Sequence, residues 1–223
     1  MTSENNELKP VIFFRGLNGI RAVAAMAVLF SHITMNLNSF GLNSFIFGRD
    51  SEGNPMTTTL AGFGVSMFFS LSGFLITYLL LEEKRVSEIG VGHFYVRRIL
   101  RIWPLYYLYL LLAVLTSIVF GLSLQPASIL FYVFLMANVP FIFGGAINFL
   151  GHYWSLGVEE QFYSFWPWIV RKSKSILTTT IFSCLFLITL KFVLRYRDIQ
   201  TVDGGMTWPY LALHVTRFQC MLI

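Results

Sequence analysis

The sequence predicts an all-α fold, a polytopic bundle of helices integral to a membrane. Of its 223 residues, 56% are hydrophobic and only 12% are charged, whereas soluble domains have roughly 25% charged residues. The stretch from Ile102 to Val158 contains a single Asp, Glu, Lys, Arg or His residue, His152. Since about 18 apolar residues suffice for one membrane span, this stretch is far longer than one crossing requires.

The charged residues and the cysteines exclude several other classes. The net charge of +5 comes from basic clusters between apolar runs, a pattern typical of helix ends at an anionic membrane surface. We therefore expect membrane lipid as a partner and no nucleic acid. Cys184 and Cys220 lack CxxC or His spacing, so we predict neither a disulfide framework nor a metal site.

The amino-terminal part predicts a tail and two spans. Residues 1–12 are polar and partly acidic, so we expect a cytoplasmic tail rather than a cleaved signal peptide, with the membrane domain over residues 13–223. The first helix is expected from Phe13 to about Leu37. A loop rich in Asn, Ser, Gly and Thr follows, and the second span is expected from Leu60 to Leu81.

A basic cluster orients these spans. Residues 82–101 carry five Lys or Arg against three Glu, which predicts a cytoplasmic location by the positive-inside rule. Because two spans precede the cluster, the amino terminus is expected in the cytoplasm as well. The third span then runs outward from Ile102 to Leu122.

The segment from Pro126 to Gly151 leaves two topologies open. If it spans the membrane, the helix predicted from Trp154 to Val170 ends outside, together with the bases that follow it. If it is re-entrant or interfacial, broken at Pro140 and at the glycines 144–145, those bases return to the cytoplasm. We prefer the second topology, because irregular backbone is tolerated at membrane depth where protein covers it.

The remaining sequence predicts one more span and an unfinished segment. The span is expected from Ser175 to Leu194. The chain then ends within the apolar segment from Tyr210 to Ile223. A stop inside an apparent helix suggests that the domain is incomplete.

The first apolar run carries a cation and an imidazole on one helical face. Arg21 and His32 are eleven residues apart, a spacing that returns to nearly the same face about 16 Å further along a helix. Polar side chains at membrane depth usually face a bundle interior and serve a function. A purely structural histidine is the alternative, and the Arg21 companion favours the functional interpretation.

Arg98 and Arg101 place two guanidinium groups on one helical face at the cytoplasmic boundary. Their planar, forked N–H groups suit phosphate oxygens. Basic clusters also flank many spans as simple anchors. From spacing alone, both interpretations stay open.

Glu159 and Glu160 are adjacent carboxylates in an aromatic and aliphatic stretch. At membrane depth such groups are paired, protonated or exposed to a water-filled cavity. On a helix Glu159 shares a face with Tyr163, while Glu160 points about 100° away, so we expect one to serve a site and the other the fold. An interfacial helix start, where acids are favourable, is the alternative.

Four blocks between Leu17 and Tyr163 carry a resemblance to a known family. In chain order they are LNGIRAVAA with His32 following, FFSLSGFL, FYVRRILRIWPLYY and WSLGVEEQFY. Together they resemble the membrane-bound acyltransferase family 3. The resemblance implies about ten spans in a complete domain, of which about five to seven spans or re-entrant segments are expected here.

The resemblance also implies an activity and a set of residues. Such enzymes transfer an acyl group, often acetyl, from cytoplasmic acyl-CoA to a sugar hydroxyl of an extracytoplasmic glycan. Arg21 and His32 match the family's essential arginine and histidine, and Arg98 and Arg101 match its cytoplasmic arginine pair. Arg97 and Tyr107, from the same block, are assigned to the donor site with them.

The resulting hypothesis is an O-acyltransferase with acyl-CoA, expected to be acetyl-CoA, as donor and no metal. The arginine pair holds the nucleotide phosphates, and His32 takes the acceptor proton as general base; a covalent acyl-histidine is an allowed variant. Arg21 lines the donor channel or pairs with Glu159 or Glu160. The expected acceptor is a carbohydrate or glycolipid, and the expected location is the bacterial inner membrane.

Two other classes compete with this hypothesis. A proton-coupled transporter would use His32, Glu159 and Arg21 as a relay. Transporters commonly carry paired broken helices in two repeated halves, whereas this sequence has one broken segment and no repeat. A non-catalytic scaffold would tolerate apolar residues along the polar line.

Overall fold

The structure is a computed structural model that describes residue 14 and residues 16–50, 53–201 and 206–222. The predicted tail, residues 1–12, lies outside the described residues. Those described form α-helices and one short 3-10 helix, without a strand among them. Among the described residues, four helices are long and apolar enough to cross a membrane: α1 (Leu17–Met35), α2 (Thr57–Val86), α3 (Val91–Val119) and α7 (Ile176–Thr201). The predicted all-α, polytopic membrane fold is confirmed.

Three of these helices extend beyond the predicted spans. α3 begins at Val91 rather than at Ile102, so the arginine pair lies within its first three turns. α2 runs from Thr57 to Val86 and α7 continues to Thr201. Hydropathy marks the part of a helix inside the apolar layer, whereas the hydrogen-bonded helix continues through flanking polar residues.

The other helices are shorter. They are α4 (Pro126–Val133), α5 (Asn138–Ile142), α6 (Tyr153–Lys172), α8 (Trp208–Thr216) and α9 (Phe218–Met221). The break between α8 and α9 falls at Arg217, whose φ of 45° lies in the left-handed region. The apolar segment predicted as one continuous helix from Tyr210 is therefore interrupted.

In the first of two compact units, residues 1–67, α1 packs against the beginning of α2. Ser31 Oγ donates a hydrogen bond to the Thr57 carbonyl at 2.6 Å. A Cβ atom at Gly64 would lie 2.9 Å from the Ala24 carbonyl, closer than side chains normally approach. Glycine at this position thus permits the close contact between the two helices.

In the second unit, Phe68–Ile223, α6 runs parallel to the end of α2. Successive contacts along both helices establish this direction. Ser72 Oγ donates to Glu159 at 3.0 Å, and further along both helices Trp166 Nε1 donates to Thr77 Oγ1 at 2.8 Å.

The carboxyl ends of α2 and α6 meet at one end of this unit. Lys84 Nζ donates to the carbonyls of Val170 and Ser173, both at 2.7 Å, and so caps α6. Arg171 pairs with Glu88 at 2.9 Å. We call this end the basic face. The re-entrant topology predicted this meeting of the two basic clusters, and a full span between α3 and α6 would have separated them.

Residues 126–152, which we call the re-entrant segment, form two short helices and irregular backbone. Tyrosine hydroxyls form hydrogen bonds with that backbone. Tyr106 Oη donates to the Tyr132 carbonyl at 2.9 Å. Tyr132 Oη donates to the Leu150 carbonyl at 3.1 Å and accepts from the Ile147 N–H at 3.3 Å. These bonds supply partners that the missing helical hydrogen bonds would otherwise provide.

The re-entrant segment returns to the end of the unit where it starts. Asn148 Nδ2 donates to the Ser123 carbonyl at 3.1 Å. α6 then begins beside the middle of α3, since Tyr153 Oη donates to the Tyr106 carbonyl at 3.3 Å. Tyr106 lies about 22 Å along α3 from Val91, so α6 begins about halfway along α3.

Candidate active site

Arg98 of α3 and Glu160 of α6 form an ion pair in the second unit. Arg98 Nε lies 3.3 Å from Glu160 Oε1, and the two side chains are only 19% and 13% exposed. Tyr163, one turn after Glu160, places its ring 3.2 Å from the guanidinium carbon of Arg98. The carboxylate and the ring together compensate a cation that is costly to bury in an apolar layer.

Glu159 faces the other neighbour of α6. Its carboxylate accepts a hydrogen bond from Ser72 Oγ of α2 at 3.0 Å. Adjacent residues on a helix point about 100° apart, so α6 presents one carboxylate to α2 and the other to α3. The two carboxylates therefore point in different directions, as predicted, and Glu160 is the one that contacts an arginine.

A cavity of about 330 Å³ opens beside this ion pair. The buried Nε1–H of Trp103 lies beside the Glu160 carboxylate and lines the same space. Guanidinium, indole N–H and phenol groups thus surround one space. The lining residues are Tyr95, Arg98, Ile99, Trp103, Phe134, Leu135, Met136, Glu160, Gln161, Tyr163 and Ser164. We call this space the Arg98 cavity.

The aromatic side chains beside the cavity, Tyr95 and Trp168, were not predicted from the sequence. Tyr95 Oη donates to the Ser164 carbonyl at 2.5 Å and accepts from Trp168 Nε1 at 3.1 Å. The signal was available, because Tyr95 lies three residues before Arg98 and hence on the same side of α3. The contribution of residues 134–136 carried no such signal, since it depends on the path of the re-entrant segment.

The other predicted donor-site residues lie outside the cavity lining described above. Arg97 Nη2 lies 3.7 Å from Glu83 Oε2, with a side chain that is 65% exposed. Tyr107 Oη donates to the Val133 carbonyl at 2.9 Å. Arg101 is exposed. Within the second unit, the structure brings Arg98 and Glu160 together at the cavity and leaves these three around it.

Arg21 and His32 belong to the first unit. Both lie on the continuous helix α1, with Arg21 half-buried and His32 exposed. The side of α1 that packs within this unit carries Ala24, Ser31 and Thr34, which lie between about 60° and 160° away from Arg21 and His32 at 100° per residue. The imidazole is therefore accessible on the surface of the described chain.

The groups around the Arg98 cavity are suited to binding a ligand with anionic oxygens. Guanidinium groups bind phosphate and carboxylate through several N–H donors. Among the described residues, no three His, Cys, Asp or Glu side chains are grouped closely enough to hold a metal ion. The groups around the cavity can pair with charges, form hydrogen bonds and make aromatic contacts.

Comparison with known proteins identifies relatives of this chain. The family model described as an acyltransferase domain, of acyltransferase family 3, matches residues 14–210. O-acetyltransferase OatA of Staphylococcus aureus (strain NCTC 8325 / PS 47) is 28% identical, over 95% of this chain and 34% of the relative. Putative peptidoglycan O-acetyltransferase YrhL of Bacillus subtilis (strain 168) is 34% identical, over 70% of this chain and 23% of the relative.

A third relative extends this comparison. Peptidoglycan O-acetyltransferase OatA of Listeria monocytogenes serovar 1/2a is 31% identical, over 68% of this chain and 23% of the relative. The chain thus spans 34% or less of the length of these curated relatives. No solved structure matches it significantly. Because the family model matches most of its length, the chain belongs to the membrane-bound acyltransferase family 3.

Proposed function

We propose that the protein to which this chain belongs transfers an acetyl group from acetyl-CoA to a hydroxyl of a cell-wall glycan such as peptidoglycan. The acceptor class follows the names of the relatives. The observation that carries the donor proposal is the Arg98 cavity, where a mostly buried guanidinium and a buried indole N–H line one space. Binding of the donor at this cavity can be argued without knowing which side of the membrane the cavity faces.

Arg98 retains capacity for a second anion. A guanidinium has five N–H donors, and the bond to Glu160 uses the donor on Nε. A donor phosphate would therefore bind the remaining N–H groups. The cavity of about 330 Å³ lies at the small end for ligand sites. It suits the thin pantetheine arm, with the other nucleotide phosphates at the exposed Arg97 and Arg101.

His32 is the proposed general base. Its exposed imidazole takes the proton of the acceptor hydroxyl while the hydroxyl oxygen attacks the thioester carbonyl carbon. The carbon–sulfur bond then breaks, and coenzyme A leaves as a thiolate that takes up a proton. The new bond is an ester between the acetyl group and the glycan. Donors for the tetrahedral oxyanion would come from N–H groups of irregular backbone.

A thiol-release assay with acetyl-CoA and a glycan acceptor, using the full-length protein in membranes, tests this function. His32→Ala should abolish acetyl transfer while expression and insertion stay normal. His93→Ala, at an exposed histidine near the start of α3, is the matched control and should retain activity. Transfer by the His32→Ala variant at the wild-type rate would remove the proposed base. Proton-coupled uptake without thiol release would instead identify a transporter.

The donor site has its own test. Replacing Arg98 and Arg101 together by lysine keeps both charges but removes the forked geometry. The apparent KM for acetyl-CoA should rise, with a smaller change in kcat, because these groups bind the non-reacting end of the donor. An unchanged KM would overturn the donor site and leave Arg98 with its ion pair to Glu160 and Arg101 with the role of a membrane anchor.

A further inference from the structure

We propose that the tip of the re-entrant segment, residues 134–138, is the end wall of the Arg98 cavity and stops the acyl-thioester end of the donor there. The hydrogen-bonded pair of Asn138 and Gln161 positions the tip. This inference rests on the proposed function, since it concerns the same donor. It adds a stopping surface and two positioning residues that the arginine pair does not supply.

The tip is attached to α6 by two amides. Gln161 Nε2 donates to Asn138 Oδ1 at 2.7 Å, and Asn138 Nδ2 lies 3.4 Å from Gln161 Oε1. Asn138 is only 4% exposed, so few water molecules compete for its amide. Gln161 directly follows Glu160, and it lines the cavity itself. The pair therefore couples the position of the tip to the helix that holds the ion pair.

A glycine lets the tip approach α6 closely. A Cβ atom at Gly157 would lie 3.0 Å from both the Ala137 amide nitrogen and the Leu135 carbonyl oxygen. Ala137 is completely buried at this contact. Gly157 is one turn before Gln161, so the backbone contact and the amide pair act on the same side of α6.

The tip holds a backbone conformation that a leucine adopts rarely. Leu135 has a φ of 59°, in the left-handed region, which is costly for a residue with a branched side chain. Its neighbour Met136 closes the turn by donating its backbone N–H to the Phe131 carbonyl at 2.8 Å. Such a conformation persists only where surrounding contacts fix it, and Gly157 with the amide pair provides them.

The tip reaches the cavity from the end of the unit opposite the basic face. α3 starts at the basic face, and Arg98 lies about 10 Å along it, whereas the whole helix extends about 43 Å. The re-entrant segment leaves from beyond Val119 and still brings residues 134–136 to the cavity that Arg98 lines. A donor entering from the basic face would therefore meet the tip after passing Arg98.

A kinetic experiment on the full-length protein tests the positioning role. Asn138→Ala should lower kcat per folded enzyme by roughly ten- to hundredfold, because a displacement of about 1 Å near the reacting atoms has that effect. The KM for acetyl-CoA should change less, since the phosphate contacts are untouched. The exchanged pair, Asn138→Gln with Gln161→Asn, keeps both amides and should recover most of the activity. An unchanged kcat for Asn138→Ala would overturn the positioning role.

A labelling experiment tests the end wall independently of catalysis. In a full-length background from which Cys184, Cys220 and every cysteine outside this chain have been removed, single cysteines are introduced by Ser87→Cys, Ser123→Cys and Met136→Cys. Ser87 precedes α3 at the basic face, and Ser123 follows α3 at the other end. A membrane-impermeant maleimide should label Met136→Cys from the same side as Ser87→Cys, and coenzyme A should slow that labelling. Ser123→Cys should react only from the opposite side.

The two proposals fail in different ways. Labelling of Met136→Cys from the Ser123 side would overturn the end wall whatever the donor is. Labelling from the Ser87 side that coenzyme A does not slow, while radiolabelled acetyl-CoA still binds, would place the donor elsewhere and overturn the end wall too. Absence of acetyl-CoA binding to the wild-type protein would instead overturn the proposed function, and with it the donor contact of the tip.

Discussion

The re-entrant segment and α7 are nearly equal in length, yet the more apolar of the two is the one that does not form a continuous helix. Residues 126–152 contain no Asp, Glu, Lys or Arg, whereas α7 contains Lys191 and three further charged residues. α7 is nevertheless one helix from Ile176 to Thr201, and the re-entrant segment turns back. Hydropathy measures affinity for the apolar layer and does not determine whether a segment crosses it.

The difference lies in how each backbone satisfies its hydrogen bonds. α7 does so internally, as any isolated span must. The re-entrant segment contains Pro140 and Gly144, the latter with a φ of 73°, and its irregular backbone bonds to Tyr106, Tyr107 and Tyr132 instead. Four changes, given from the largest expected effect to the smallest, test this contrast. Each is measured as the free energy of unfolding of the full-length protein in detergent.

Ile188→Pro should break the continuous helix α7. Proline removes an internal hydrogen bond and clashes with the preceding turn, which costs about 3 kcal/mol or more. Ile188→Ala, at the same exposed position, removes side-chain volume without breaking the backbone and should have a much smaller effect. Equal losses in the two variants would show that α7 does not depend on its internal hydrogen bonds.

Gly157→Leu should displace the tip of the re-entrant segment from α6. The added side chain meets backbone atoms at 3.0 Å, and overpacking of this kind costs about 1–3 kcal/mol. Gly92→Leu, in the first turn of α3 with open space around its Cβ position, is the control and should be nearly neutral. A neutral Gly157→Leu would mean that the tip is free to move.

Tyr132→Phe should weaken the re-entrant segment without adding volume. Removal of the hydroxyl takes away the partner of the Leu150 carbonyl and of the Ile147 N–H, at a cost of about 1–2 kcal/mol. Tyr109→Phe removes a hydroxyl from an exposed tyrosine of α3. If both variants lose the same stability, the hydroxyl of Tyr132 has no special role.

Asn148→Ala should have the smallest effect of the four. It removes one exposed hydrogen bond to the Ser123 carbonyl, worth about 0.5 kcal/mol where water can replace it. A loss as large as that of Tyr132→Phe would show that this return contact, rather than the tyrosine hydroxyls, holds the re-entrant segment.

Periodicity and charge predicted the parts of this structure that local chemistry decides. The helical repeat placed Glu159 and Glu160 in different directions, and the proline and glycine positions favoured the broken segment over a full span. The basic residues at the ends of α2 and α6 indicated a common face, and the Lys84 contacts join them there.

The sequence did not predict which residues far apart in the chain contact each other. The meeting of Arg98 with Glu160 joins residues on two helices separated by the entire re-entrant segment, and no local pattern specifies that register. The Asn138–Gln161 pair and the cavity lining at residues 134–136 depend on the same path. The roles of Arg21, His32 and the arginine pair in catalysis stay predictions.

The most direct test is to determine from which side of the membrane acetyl-CoA must be supplied. Full-length protein is reconstituted in vesicles with a glycan acceptor on both sides, and acetyl-CoA is supplied on one side at a time. Orientation is read from maleimide labelling of Ser87→Cys, which marks the basic face. We predict acetyl transfer only when acetyl-CoA is at the basic face, with loss of that transfer in Arg98→Ala. Equal transfer from either side, or transfer unaffected by Arg98→Ala, would contradict a donor site in the Arg98 cavity.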